Sequence, residues 1–273
     1  MKIVLAAINA KYIHANLAIY SLRAFSEAEI QIAEYTINHQ MDRILQDIYR
    51  KKPDFVGFSC YIWNMGMVEE LAELLHQLRP EMPVWFGGPE VSYDAAECLQ
   101  RNHGVTGILR GEGEESFHEL MQYYIGGSGK LQDIRGIIYR EDGLLVDNGW
   151  REVMDLNKVP FVYEEMEDFK NKIIYYETSR GCPFSCSYCL SSLDKKLRFR
   201  DWELVRAELD GLPSHGFSRI PFYVDQALSG KVKARAIPLV RQPAPAAVLV
   251  DAGNGFAFPA ILAGLEKAIP LAR

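Results

Sequence analysis

The stretch TSRGCPFSCSYC, residues 178–189, decides how the rest of the chain is read. Cys182, Cys186 and Cys189 stand in a CxxxCxxC spacing, and the apolar run 173–176 (IIYY) leads straight into them. Three thiolates on one short loop bind three irons of a cubane four-iron four-sulfur (4Fe-4S) cluster and leave the fourth iron without a protein ligand. Fully ligated clusters and structural zinc sites normally take four protein ligands. An open fourth position therefore points to catalysis more than to structure. A zinc knuckle is the plainer alternative. It needs a fourth ligand, and the nearest downstream histidine, His215, does not fit finger spacings.

With 273 residues the chain is long enough for two domains, each burying its own core. A composition of 48% hydrophobic and 24% charged residues is that of an ordinary globular protein. The net charge of −6 gives no general polyanion-binding surface, although the basic run 195–200 (KKLRFR) makes a local patch. The apolar run near the start is too short for a signal peptide, and no run of about 18 apolar residues exists to span a membrane. Five cysteines, three of them together, suit a reducing cytoplasm and metal chemistry better than disulfides. The expected location is cytoplasmic.

Upstream of the cysteine loop, strand and helix signals alternate. Apolar runs at 2–8, 30–36, 55–62, 84–86 and 107–110 read as strands, separated by helical patterns at 17–25, 41–51 and 68–78, with a further helix at 115–124. Short connections and this alternation predict a doubly wound parallel α/β sheet, in which ligands bind outside the carboxyl ends of the strands. The strand ends are distinctive. Tyr12 to Asn16 follow the first strand, and Ser59 to Trp63 lie on the third. Gly87-Gly88-Pro89-Glu90 follow the fourth, and Gly111-Glu112-Gly113-Glu114 the fifth. Glycines there let backbone approach a bulky ligand. One glycine pair alone would more often be a tight turn, but the whole set at one sheet edge reads as a pocket. Cys60 and Cys98 read as buried small hydrophobes.

The cysteine loop, with the aromatic Tyr188 before its third cysteine, resembles the signature of the radical S-adenosylmethionine (SAM) enzymes. Three further pieces, INAKYIHANLAIYSL (8–22), FGGPEVS (86–92) and LRGEGEESFHEL (109–120), resemble the cobalamin-binding domain of the corrinoid-dependent members. The resemblance implies a Rossmann- or flavodoxin-like cobalamin-binding domain followed by a partial (β/α) barrel. It implies three cofactors: a 4Fe-4S cluster on Cys182, Cys186 and Cys189, SAM and cobalamin. By position, Gly87, Gly88, Pro89, Glu90, Gly111, Glu112 and Gly113 would line the corrinoid groove, with Tyr12 and Asn16 beside it and the Ser59 hydroxyl near the nucleotide tail. No Asp-x-His motif is present, so cobalt would have no protein histidine beneath it. His14 reads equally as a hydrogen-bonded loop histidine.

The expected organisation is a cobalamin-binding-like domain at 1–128, a hairpin and linker at 129–171, the start of a radical SAM core at 172–237, and an atypical tail at 238–273. The GGSG at 126–129 reads as a flexible break, and 134–139 with 144–146 as a hairpin. A strand at 173–178, a helix at 202–209 and a strand at 219–224 are the opening units of the barrel. Tyr188 and Asp225 are the candidate SAM contacts, and a surface aspartate is the plain alternative for Asp225. After 237 the resemblance stops. The run 238–248 (PLVRQPAPAAV) is rich in proline and alanine, one helix at 260–268 is expected, and the remaining barrel repeats are missing. A truncated or frame-altered enzyme with little turnover of its own is the expectation.

The function so implied is radical cleavage of SAM to a 5′-deoxyadenosyl radical, with methyl transfer to an unactivated carbon of a small-molecule substrate. An electron donor such as flavodoxin or ferredoxin would be needed. A transfer-RNA methylthiotransferase is one rival, although it would need more N-terminal cysteines and an RNA-binding module. A non-enzymatic cobalamin or metal sensor is the other.

Overall fold

The computed structural model describes residues 1–26, 28–163, 166–169, 172–182, 187, 190, 193, 196–211, 222–223 and 248–251. The chain divides into two compact units, Met1–Glu164 and Glu165–Arg273.

In the first unit the strands are β1 (Ile3–Asn9), β2 (Ile30–Thr36), β3 (Phe55–Ser59), β4 (Val84–Gly87) and β5 (Gly107–Leu109). The helices are α1 (Leu17–Ser26), α2 (Met41–Arg50), α3 (Met65–Leu78), α4 (Pro89–Ser92), α5 (Ala95–Arg101) and α6 (Glu114–Gly126). The five strands are parallel in the order β2-β1-β3-β4-β5. Every residue of β1 is buried, as a strand covered by helices on both faces must be.

The period of two along the strands sorts the core into two layers. Val4, Ala6 and Ile8 join Val56, Phe58 and Phe86 in one cluster with Ile44 and Ile48 of α2, Leu71 and Leu75 of α3, and Leu99 of α5. On the other face Phe55 sets its ring edge-on to Phe117 at 6.3 Å and Tyr124 at 5.3 Å, both on α6. Trp85 is fully buried there and donates its indole N–H to the Tyr124 hydroxyl at 3.1 Å. The indole fits because its partner across β4 and β5 is Gly107, where a Cβ would stand 2.6 Å from the ring. Each such large apolar side chain contributes about 1.5–3 kcal/mol on burial.

Three features of the first unit differ from the sequence expectation. The third strand stops at Ser59 instead of running to residue 62, because the Asn64 side chain donates to the Ile8 carbonyl at 3.0 Å and the Ser59 carbonyl at 2.9 Å and pulls the chain off the sheet. The GGSG segment ends a helix: Gly127, with φ 59°, caps α6 and donates to the Tyr123 carbonyl at 3.1 Å. The hairpin, expected in a linker, is part of the first sheet. Its strands β6 (Ile137–Glu141) and β7 (Leu144–Asp147) extend the order to seven, with β6 antiparallel to β5. Asp142 and Gly143 both have positive φ, as a two-residue hairpin turn requires. Without β6 the backbone of β5 would be an open edge.

The second unit carries β8 (Ile174–Glu177), β9 (Ser179–Arg180), β10 (Arg198–Phe199), α7 (Trp202–Gly211), β11 (Phe222–Tyr223) and β12 (Val248–Asp251). β9 and β10 pair antiparallel, and a parallel sheet runs β11-β12-β8. The strand beside β8 is thus β12, from the tail, where the sequence reading places no strand. The expected helix at 260–268 lies outside the described residues.

Candidate cofactor-binding sites

Strand order reverses at β2-β1-β3, so the chain leaves β1 for α1 and leaves β3 for α3 on the opposite face of the sheet. Such a switch point opens a crevice at the carboxyl ends of the strands. Asn16 and Ser59 meet across it. The Asn16 side chain donates to the Ser59 hydroxyl at 3.1 Å, and its oxygen accepts from the Ile19 N–H at 3.4 Å at the start of α1. Glu34, one strand over, accepts from the Asn16 backbone N–H and from the Asn9 side chain, both at 2.9 Å, and from the Tyr20 hydroxyl at 2.8 Å. Asn9 also donates to the His14 carbonyl at 2.9 Å. The loop that carries Tyr12 is thereby tied down, while the Tyr12 ring itself stays exposed. Burial, with Lys11 nearby, holds the His14 imidazole below its ordinary value.

Sequence reading named Asn16 and Ser59 but not Asn9, Glu34 and Asn64, which the structure ties to the same loops. For Asn9 the available signal was a polar residue ending an apolar strand. Tyr61 and Trp63 stack at 4.5 Å on the loop after β3, with Ile62 and Trp63 exposed.

At β4 the Gly87 carbonyl accepts from the Cys60 N–H at 2.7 Å. Gly88 has φ 115°, and a Cβ there would lie 2.5 Å from the Cys60 carbonyl oxygen, so only glycine fits. Pro89 begins α4, with Glu90 half-buried behind it. Ser92 links the two glycine turns: its hydroxyl donates to the Gly88 carbonyl at 2.8 Å and accepts from the Gly111 N–H at 3.1 Å. Gly111 is exposed at the strand end. Glu112 accepts from the Met154 N–H at 2.9 Å, and a Cβ on Gly113 would meet Leu22 of α1 at 3.2 Å. Glu112 therefore holds the connector and Gly113 serves helix packing. Burial raises the thiols of Cys60 and Cys98, both in the core.

In the second unit, Cys182 is buried and follows Gly181, whose φ is 87°. Arg180, just before it, pairs with Glu177 at 2.8 Å. Arg200 forks onto Glu208 of α7 with two bonds of 2.8 Å and stands 3.1 Å from the Tyr176 hydroxyl, which also donates to Glu208. Burial and this carboxylate raise Tyr176 far above its ordinary value. The fork fixes α7 against β8, the strand that leads to the cysteine loop. Cys186, Tyr188, Cys189 and Asp225 lie outside the described residues.

At the strand ends the hydrogen-bonding crevice suits a bulky ligand. Of the three cysteines the described residues include Cys182 alone, and the three-thiol donor set that would suit an iron–sulfur cluster with one open iron stands in the sequence.

Comparison with known proteins divides the chain. The B12 binding domain family matches residues 3–121. The malate/L-lactate dehydrogenase family matches residues 202–273. The cobalamin-dependent radical SAM methyltransferase TokK of Streptomyces tokunonensis is 25% identical over 178 residues, covering 60% of this chain and 26% of TokK. The (2R)-3-sulfolactate dehydrogenase (NADP(+)) of Chromohalobacter salexigens is 59% identical over 70 residues, 26% of this chain and 21% of that protein. The structure of the cobalamin-dependent S-adenosylmethionine radical enzyme OxsB superposes with a TM-score of 0.63 at 20% identity, covering 79% of this chain and 32% of OxsB. The chain therefore spans about a third or less of these proteins. The dehydrogenase match begins at α7, ahead of position 238 where the sequence reading places the change, and it takes in Asp225.

Proposed function

From a chain whose first unit carries a B12 binding domain and whose relatives include cobalamin-dependent radical SAM methyltransferases, we propose that residues 1–201 are the front portion of such an enzyme, acting by methyl transfer to an unactivated carbon of a small-molecule substrate. The observation that carries the reading is the pairing, in one chain, of the strand-end crevice at Asn16, Ser59 and Gly88 with the cysteine triad. When bound, the cluster supplies the electron that splits SAM to a 5′-deoxyadenosyl radical, and the corrinoid supplies the methyl group. Cys182, Cys186 and Cys189 hold the cluster. Asn16 and Ser59 offer hydrogen bonds to the corrinoid's nucleotide tail, and Gly88, whose Cβ position is taken by the Cys60 backbone, makes the tight turn from β4 into α4 beside it. Reduction is assigned to an external donor such as flavodoxin or ferredoxin. Among the described residues no helix is long and apolar enough to cross a membrane.

Residues 202–273 we assign to a different origin: a dehydrogenase-like segment joined where the next barrel repeats would stand. The jump from 25% identity over 178 residues to 59% over 70 supports this. A radical enzyme needs an enclosed site, so this chain should bind cofactors with little or no turnover. The same observation keeps a binding-only role as the second reading.

Anaerobic reconstitution with iron and sulfide, SAM cleavage and hydroxocobalamin uptake test the reading on wild type and Cys186→Ala. Cluster absorbance should vanish in the variant while cobalamin uptake persists. Persistence of the cluster in the variant, or no cobalamin uptake by wild type, would overturn the corresponding half. Sequencing the gene across codons 195–215 tests the join: an uninterrupted barrel-like reading frame there would refute it.

A further inference from the structure

Trp150 lies in the connector after β7, beyond the matched B12 binding domain, yet it stands over the end of β5. A Cβ on Gly111 would sit 3.5 Å from its ring, and the Tyr93 ring lies 5.5 Å away at 37°. Behind it is Arg110, its guanidinium 4.7 Å from the indole centre and forked onto Asp147 at 2.6 and 3.1 Å. The connector is pinned on both sides. The Asn148 side chain donates to the Leu131 and Ile134 carbonyls at 2.6 and 2.8 Å, and the Arg151 side chain donates to Ser116 at 2.9 Å. The chain on either side of Trp150 is therefore anchored before any ligand arrives.

A tryptophan whose task was to cover Arg110 would be expected to bury itself, and Asp147 already balances that charge. Instead Trp150 is 47% and Tyr93 45% exposed, side by side at the strand ends. They continue the exposed aromatic and aliphatic side chains of Tyr12, Ile62 and Trp63 on the loops after β1 and β3. Gly111 is exposed beside them, and Ser92 bridges it to the Gly88 turn. A rigid, flat, half-exposed π surface next to glycine turns suits a large, flat, mostly apolar ligand.

We propose that Trp150 and Tyr93 form an aromatic wall against which the corrinoid packs, so that its site extends past the B12 binding domain into the connector. The inference rests on the cobalamin reading of the first unit. Hydroxocobalamin is titrated into the full chain and into Trp150→Ala and Trp150→Phe, with binding read from the visible absorbance. Trp150→Ala should bind about tenfold more weakly or worse, and Trp150→Phe should recover most of the loss. Hydroxyl-radical footprinting of the unaltered chain gives a second readout. Saturating cobalamin should protect Trp150 and Tyr93 but leave Tyr49, exposed on α2 away from the strand ends, unchanged. Unaltered affinity in Trp150→Ala, or no protection of Trp150 at saturation, overturns the wall. If Trp150→Ala does not fold, the footprint decides. Wild type that takes up no cobalamin at all rejects the underlying cobalamin reading instead.

Discussion

Asn16 bonds through its side chain to both Ser59 and the start of α1, so one residue joins the crevice to the first helix. Asn16→Ala should cost about 1–2 kcal/mol in urea unfolding, the usual range for a lost cap plus a side-chain bond. It should also weaken hydroxocobalamin uptake. His14 belongs to the same loop. Its imidazole is held below the ordinary value, chiefly by burial and then by Lys11, so the unfolded chain takes up a proton more readily than the folded one. The His14 contribution is therefore complete above the unfolded value and is lost as pH falls below about 6.5. Comparing unfolding free energies between pH 7.5 and 5.5, His14→Asn should show a shallower decline than wild type. Asn16 and the glycines were legible because polar or glycine residues directly follow apolar runs. Glu34 was not, since only the register that sets it beside Ala7 brings it to the loop.

At the scale of elements, the turn from β4 into α4 depends on Gly88. Gly88→Ala would place a Cβ 2.5 Å from backbone oxygen in a left-handed conformation, and should cost about 2–4 kcal/mol by denaturant titration. The contact of α7 with β8 depends on the Arg200–Glu208 fork, whose side chains are only 5% and 12% exposed. At that burial, removing one partner strands a charge. Glu208→Ala should cost the second unit about 3–5 kcal/mol, against about 1 kcal/mol or less for a surface pair. The first unit's transition, followed by the fluorescence of buried Trp85, should not move. The hairpin shows where element reading fell short. Its turn was plain in Asp142 and Gly143, but a turn does not say which edge its strands will join.

For the whole molecule, the proposed cobalamin site lies within one compact unit. Residues 1–163 produced alone should take up hydroxocobalamin with the affinity of the full chain, and a tenfold loss would place part of the site elsewhere. By itself the sequence determined the parallel α/β class, the strand-end glycines, the cysteine triad and a change of character in the tail. All of these are local: apolar periodicity, turn chemistry and ligand spacing lie within short windows of chain. Proline and alanine composition put that change at 238, because composition shifts only where breakers accumulate, whereas the dehydrogenase likeness begins at 202. Only the tertiary structure decided that the hairpin closes the first sheet, that β12 pairs with β8, and that Glu34 and Trp150 reach the strand ends. Those outcomes depend on which distant backbone edges and side chains meet, and contacts made across long sequence separations leave no periodic trace in the chain.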